Sequence, residues 1–222
     1  MSVSPCIVAV PERISHVDRM LRKLPDVPVY WDHDHAGPVA GMCGAIAKAL
    51  GQHTTHVLIL EDDIHVCDDF LAGVEAAIAA KPQSPISYCW LGRESREQPP
   101  GTFIRDPGWW GTQAYSLPAV VAMNFLDWVR SPSGLRQVKA VIHSQPGYHA
   151  VNEARWLQAS DVWLRFGLEI MDIPLIHTLP SLVQHGEPTR TTLGREIAGD
   201  EAEIRIAPWF IGENVSALTV DW

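Results

Sequence analysis

Three consecutive carboxylates, Glu61, Asp62 and Asp63, end the apolar run HVLIL at residues 56–60. Burying three uncompensated negative charges at a strand end is unfavourable, through desolvation and mutual repulsion. A divalent cation would remove that penalty, and oxygen ligands suit Mg2+ or Mn2+. On extended backbone Glu61 and Asp63 point to one side and Asp62 to the other, so an E-x-D pair can face one ion. The other reading is a solvated acidic turn whose carboxylates favour the start of the next helix. Two further clusters are weaker. Asp32, His33, Asp34 and His35 are adjacent in sequence, and adjacent side chains rarely converge on one ion. His53 and His56 have an H-x-x-H spacing, but His56 opens a strand, which removes a helical zinc face.

The elements that must position these groups alternate between strands and helices. Residues 4–10 form an apolar run that ends at Pro11, a first strand. Ile14, Val17, Leu21 and Leu24 recur every three or four residues and predict a helix. A second strand is expected over 28–31, a turn-rich loop over 32–38 and a small-residue helix over 39–50, ended by Gly51. The third strand, 56–60, runs into the acidic cluster. Asp68 or Asp69 then caps a helix that lasts to about residue 80. Strands are expected over 86–90 and 112–116, around a loop 91–110. Pro118 starts a helix to about residue 130, and 131–153 read as loop. Ser160 caps a short helix over 161–166, and short strands follow at 175–177 and 182–184. The pattern predicts an α/β fold, a mainly parallel sheet with helices on both faces. In such sheets ligands sit beyond the carboxyl ends of the strands, which here means the loops after Val10, Trp31 and Leu60.

The chain has 222 residues and an ordinary globular composition, 46% hydrophobic and 19% charged. That length suits one domain with a real core. The net charge of -9 argues against a nonspecific nucleic-acid binder, whose affinity rests on a basic face, though a local basic patch is compatible with it. The basic residues are 13 Arg and 4 Lys, and Arg suits phosphate and carboxylate forks. Cys6, Cys43, Cys67 and Cys89 form no C-x-x-C pair and read as reduced core thiols of a cytoplasmic protein. No apolar run approaches the roughly 20 residues that span a bilayer, and the first residues do not read as a signal peptide, so no membrane partner is expected.

Five segments, in order, resemble the nucleotide-sugar glycosyltransferases of the GT-A fold. ILEDD before a capped helix resembles their DxD region, with Glu61 where the first acidic position is often Asp. SPCIVAVPERISHVDRML resembles the first strand and loop that hold the nucleotide. WGTQAYSLPAVVAM resembles the G-T-x-A-Y segment beside the sugar. ASDVWLRFGL resembles the segment bearing the catalytic carboxylate, and LPSLVQHGEPT the late P-S-L-V-Q-H. The likeness spans about residues 4–190.

The resemblance implies a metal-dependent transfer of a sugar from a nucleoside diphosphate sugar, a UDP-sugar being favoured, to an acceptor hydroxyl. Asp63 would bind the Mn2+ or Mg2+ directly, Glu61 would bind metal or ribose, and His185 would be a further ligand as neutral imidazole. Asp161 would be the general base, and attack from the face opposite the leaving group implies inversion. Pro11, Arg13, Asp32 and Asp62 are assigned to the nucleotide, and Gly111, Thr112 and Gln113 to the donor sugar. Trp109 and Trp110 offer an apolar platform for an acceptor. Residues 1–110 would hold the donor, 111–190 would serve acceptor and catalysis, and 191–222 would be a tail. The polar stretch 187–203 is a candidate lid, with a surface connection as its plain alternative.

The chain also resembles small bacteriophage-encoded glycosyltransferases, some of which modify DNA. That favours a 5-hydroxymethylpyrimidine, such as 5-hydroxymethylcytosine, as acceptor, with Arg93, Arg96, Arg105, Arg190 and Arg195 toward phosphates. A cell-surface glycan or lipopolysaccharide is the alternative acceptor. A metal-dependent nucleotidyltransferase and a noncatalytic nucleotide-sugar binder are the competing classes. The first commonly needs a glycine-rich, basic first loop, and the second has no use for a base at Asp161.

Overall fold

The computed structural model describes residues 1–92, 98–106, 111–144, 153–186 and 207–222. Its strands are β1 (Val3–Ala9), β2 (Val29–Trp31), β3 (His56–Glu61), β4 (Ile64–Val66), β5 (Ile86–Ser87), β6 (Thr102–Arg105), β7 (Ala114–Pro118), β8 (Ile176–Leu179) and β9 (Val183–His185). Its helices are α1 (Ile14–Lys23), α2 (Pro38–Ala49), α3 (Phe70–Ala80), α4 (Ala119–Arg130), α5 (Pro132–Ser144), α6 (Glu153–Trp156) and α7 (Ser160–Ile170). The fold is α/β, as the alternation predicts.

The central sheet has seven strands in the order β2-β1-β3-β7-β5-β8-β6. β2, β1, β3, β5 and β8 run one way, and β7 and β6 run the other. β4 and β9 pair antiparallel in a separate two-stranded sheet. Alternation along the central strands fills a core on each face. Ile7, Leu58 and Leu60 face α1, α3 and the chain's C-terminal segment. Cys6, Val57 and Ile59 face α2, α4, α5 and α7. β3 is buried at each of its first five residues, which explains its continuous apolar sequence. Gly73 in α3 permits a close approach, because a β-carbon there would lie 2.4 Å from the Ala217 side chain.

Several expectations need correction. Residues 132–144 form helix α5 rather than loop. Pro132, Ser133 and Gly134 mask its start, but Val138 and Ile142 recur at helical spacing and are buried against α4 and α7. β4 and β6 lie where no strand is expected, and β5 is two residues long rather than five. Asp69 stands at the head of α3 in the left-handed region, and its carboxylate accepts from Ser216 Oγ instead of capping the helix. Ala159, not Ser160, is the residue before α7, and α7 runs on to Ile170. Cys6, Cys67 and Cys89 are buried free thiols, and Cys43 is a half-buried one. Among the described residues, no helix is long and apolar enough to cross a membrane.

Candidate functional site

The acidic run sits where β3 leaves the central sheet, and two pairings bring other segments to it. β7 is antiparallel to β3, with Leu60 opposite Ala114, so the residues before Ala114 lie beside the carboxyl end of β3. Glu61 N–H donates to the Gln113 carbonyl at 2.9 Å, which extends that contact past the strand. β4 begins directly after Asp63, and its Ile64 stands opposite His185 of β9. Chain positions more than a hundred residues apart thereby share one corner. Gly186 keeps it tight: its N–H donates to the Asp63 carbonyl at 2.5 Å, and a β-carbon there would meet that oxygen at 2.6 Å.

Glu61, Asp63 and His185 each offer a ligand atom, and these atoms lie within 4.8 Å of one another. His185 Nδ1 lies 3.1 Å from the Gly186 carbonyl, and a carbonyl only accepts, so Nδ1 carries the proton. Nε2 is then the atom left to serve as a ligand, and it lies 3.9 Å from Asp63 Oδ2. Arg13 Nη1 donates to Asp62 Oδ1 at 2.7 Å and to Asp63 Oδ2 at 2.8 Å. Asp62 also accepts from Val10 N–H at 3.2 Å. Asp63 Oδ1 is buried and has no hydrogen-bond partner among the described residues. An orphaned buried carboxylate oxygen carries a desolvation cost of about 1–3 kcal/mol or more, which a cation ligand would remove.

Charge accounting points the same way. Arg13 meets Asp62 and Asp63, whereas among the described residues Glu61 accepts only a hydroxyl hydrogen bond, from Thr112 Oγ1 at 2.6 Å. Burial, then the charge of Asp63, push the Glu61 carboxyl up to about 8, with Asp161 and Asp62 adding to the effect. Burial likewise raises the Asp62 carboxyl, against the opposing pull of Arg13. An excess of negative charge in a low-dielectric corner, with oxygen and imidazole donors converging, fits a hard or borderline divalent ion such as Mn2+ or Mg2+.

These groups line a cavity of about 950 Å³. Of the residues the sequence singles out, Arg13, Asp32, Glu61, Asp62, Asp63 and His185 all reach it, and so do Gly111, Thr112, Gln113 and Asp161. Asp161 lies in the first turn of α7, and its Oδ1 accepts from Val162 N–H at 2.9 Å. Asp32 is buried, and its carboxylate accepts from Ala36 N–H at 2.9 Å and Gly37 N–H at 3.0 Å, shaping the loop ahead of α2. Pro11 does not line the cavity. It opens the short turn Pro11–Arg13 that aims the Arg13 guanidinium at the acidic run. Trp109, Trp110, Arg93, Arg96, Arg190 and Arg195 lie outside the described residues, as does the whole candidate lid at 187–203. Arg105 is exposed on β6, the edge strand farthest in the sheet from β2. Sequence reasoning passes over Ser160 except as a cap, and over Gly41, Met42 and Arg155 of the cavity wall, none of which lies in a motif spacing that would mark it.

No protein-family profile matches the chain, and no curated protein matches it. Among solved structures it is similar to mannose-1-phosphate geranyltransferase from Thermus thermophilus, at 11% identity and a TM-score of 0.44 over 81% of this chain and 74% of that one. It is also similar to A197 from STIV, at 12% identity and a TM-score of 0.45 over 97% of each chain.

Proposed function

We propose that residues 1–222 act as one metal-dependent glycosyltransferase domain that moves a sugar from a nucleoside diphosphate sugar to an acceptor hydroxyl, with inversion. The observation that carries this reading is the convergence of Glu61, Asp63 and His185 at the end of β3, in the same cavity as Asp161. The three converging side chains would hold Mn2+ or Mg2+, which when bound neutralises charge developing on a departing diphosphate. Asp161 would take the proton from the acceptor hydroxyl while that oxygen bonds to the anomeric carbon and the bond from that carbon to the diphosphate breaks. Arg13 holds Asp62 and Asp63 in place, and the cavity would keep water from the donor. A noncatalytic binder gives Asp161 no task.

The favoured acceptor is the hydroxymethyl group of a modified pyrimidine in DNA. Its support is the sequence resemblance, since Trp109, Trp110, Arg93 and Arg190 lie outside the described residues. A labelled UDP-sugar, Mn2+ and either hydroxymethylcytosine DNA or a glycan acceptor test the reading. Transfer to the DNA is expected. Asp161→Ala should lower turnover about 10²- to 10⁴-fold and leave donor affinity within a few-fold. Unchanged turnover in that variant would remove Asp161 from the reaction, and transfer to glycans alone would reassign the acceptor.

A further inference from the structure

The resemblance places Thr112 beside the donor sugar, but its hydroxyl is committed elsewhere. Thr112 is 5% exposed, and its Oγ1 donates to Glu61 Oε1 at 2.6 Å, a short charge-assisted contact. The same Oγ1 lies 3.1 Å from Ser160 Oγ. A threonine hydroxyl has one proton, and the carboxylate takes it, so Ser160 is the donor in the second contact. With Glu61 ionised, the state that binds a cation, the relay runs from Ser160 O–H to Thr112 O–H to the Glu61 carboxylate. What Thr112 can still offer a sugar is chiefly its methyl group.

The two ends of this chain matter. Ser160 is the first residue of α7, and Asp161 follows it. Glu61 is the member of the acidic corner that no cation among the described residues pairs with. Without the Thr112 hydroxyl, repulsion from Asp63 would favour any rotamer that swings Glu61 away from Asp63 and His185. The geometry points to Thr112 and Ser160 as positioning residues that hold Glu61 toward the cation site and tether the base-bearing start of α7 to it. This rests on the reading of Glu61, Asp63 and His185 as a cation site. The outer partners of metal ligands typically control affinity in this way, by orienting the ligating atom.

The test compares Mn2+ binding, by calorimetry or by loss of the free-ion paramagnetic signal, in the wild type, Thr112→Val, Thr112→Ser and Ser160→Ala. Thermal melts of the metal-free proteins run alongside. Thr112→Val keeps the shape and removes the hydroxyl, and Mn2+ affinity should fall about 10- to 100-fold. Thr112→Ser restores the hydroxyl and should recover the affinity, a rescue that a packing role would not give. Ser160→Ala removes the upstream donor and should give a smaller loss, together with a fall in kcat at nearly constant KM. If Thr112→Val does not fold, Ser160→Ala and Thr112→Ser still decide: wild-type affinity and kcat in Ser160→Ala overturn the inference. Equal Mn2+ affinity in Thr112→Val and wild type also overturns it, as does equal impairment in Thr112→Val and Thr112→Ser. A wild type that binds no Mn2+ instead removes the cation site itself, a different outcome from a wild type that binds and variants that do not differ from it.

Discussion

At the scale of single residues, Glu61 is the group whose state decides the corner. Its carboxyl is pushed up to about 8, by burial first and by Asp63 second, so near neutrality a proton and a bound cation would compete for the same oxygens. Below about pH 8 a proton must leave before the ion binds, so Mn2+ affinity rises with pH, by up to tenfold per unit, and levels off above. Calorimetric titrations between pH 6.5 and 8.5 should show that rise, and Glu61→Gln should flatten it as well as weaken binding. A wild-type affinity that does not change across the window would contradict the assignment. The carboxylates themselves are legible in the sequence, because three in a row end an apolar strand. Which oxygen meets which partner is not legible. Thr112 and Ser160 lie about fifty and a hundred residues away, and a hydroxyl carries no spacing signal of its own.

At the scale of elements, strand direction is what builds the site. A fully parallel sheet would bring the C-terminal end of β7 beside Asp62 and carry residues 111–113 to the opposite edge. Because β7 is antiparallel to β3, its start lies at the carboxyl end of β3, and Thr112 reaches Glu61. The alternation of strands and helices reveals the layers, but not the direction of β7, which depends on pairing across more than fifty residues. The pairing of β4 with β9 escapes for the same reason, since strands of three residues have too little pattern to mark them. Helix α5 is hidden behind Pro132 and Gly134, yet Val138 is fully buried against the core that also packs α4 and α7. Val138→Asp places an unpaired carboxylate there and should cost about 3–5 kcal/mol in urea denaturation. Val120→Asp, on the exposed face of α4, should stay within about 0.5 kcal/mol. Near-equal effects would mean that α5 does not pack on that core.

At the scale of the whole molecule, the sheet has one apolar core on each face, and the cavity opens where the carboxyl ends of β1, β2 and β3 meet the start of β7. The cavity therefore lies beyond the strand ends, where open α/β sheets bind ligands, and the loops after Val10, Trp31 and Leu60 all contribute to it or its support. The net charge of -9 also has a local counterpart, since Glu61, Asp62, Asp63 and Asp161 line one cavity in which Arg13 pairs with Asp62 and Asp63. A molecule of this sign attracts cations, and the corner at the end of β3 concentrates that attraction. The most direct test is equilibrium Mn2+ binding to the wild type and to Asp63→Ala, each with and without a nucleoside diphosphate. One Mn2+ per wild-type chain, bound more tightly with the nucleotide present and lost in Asp63→Ala, is the expected result. Equal binding by the two proteins, or nucleotide affinity that chelation leaves unchanged, would contradict a cation at Glu61, Asp63 and His185.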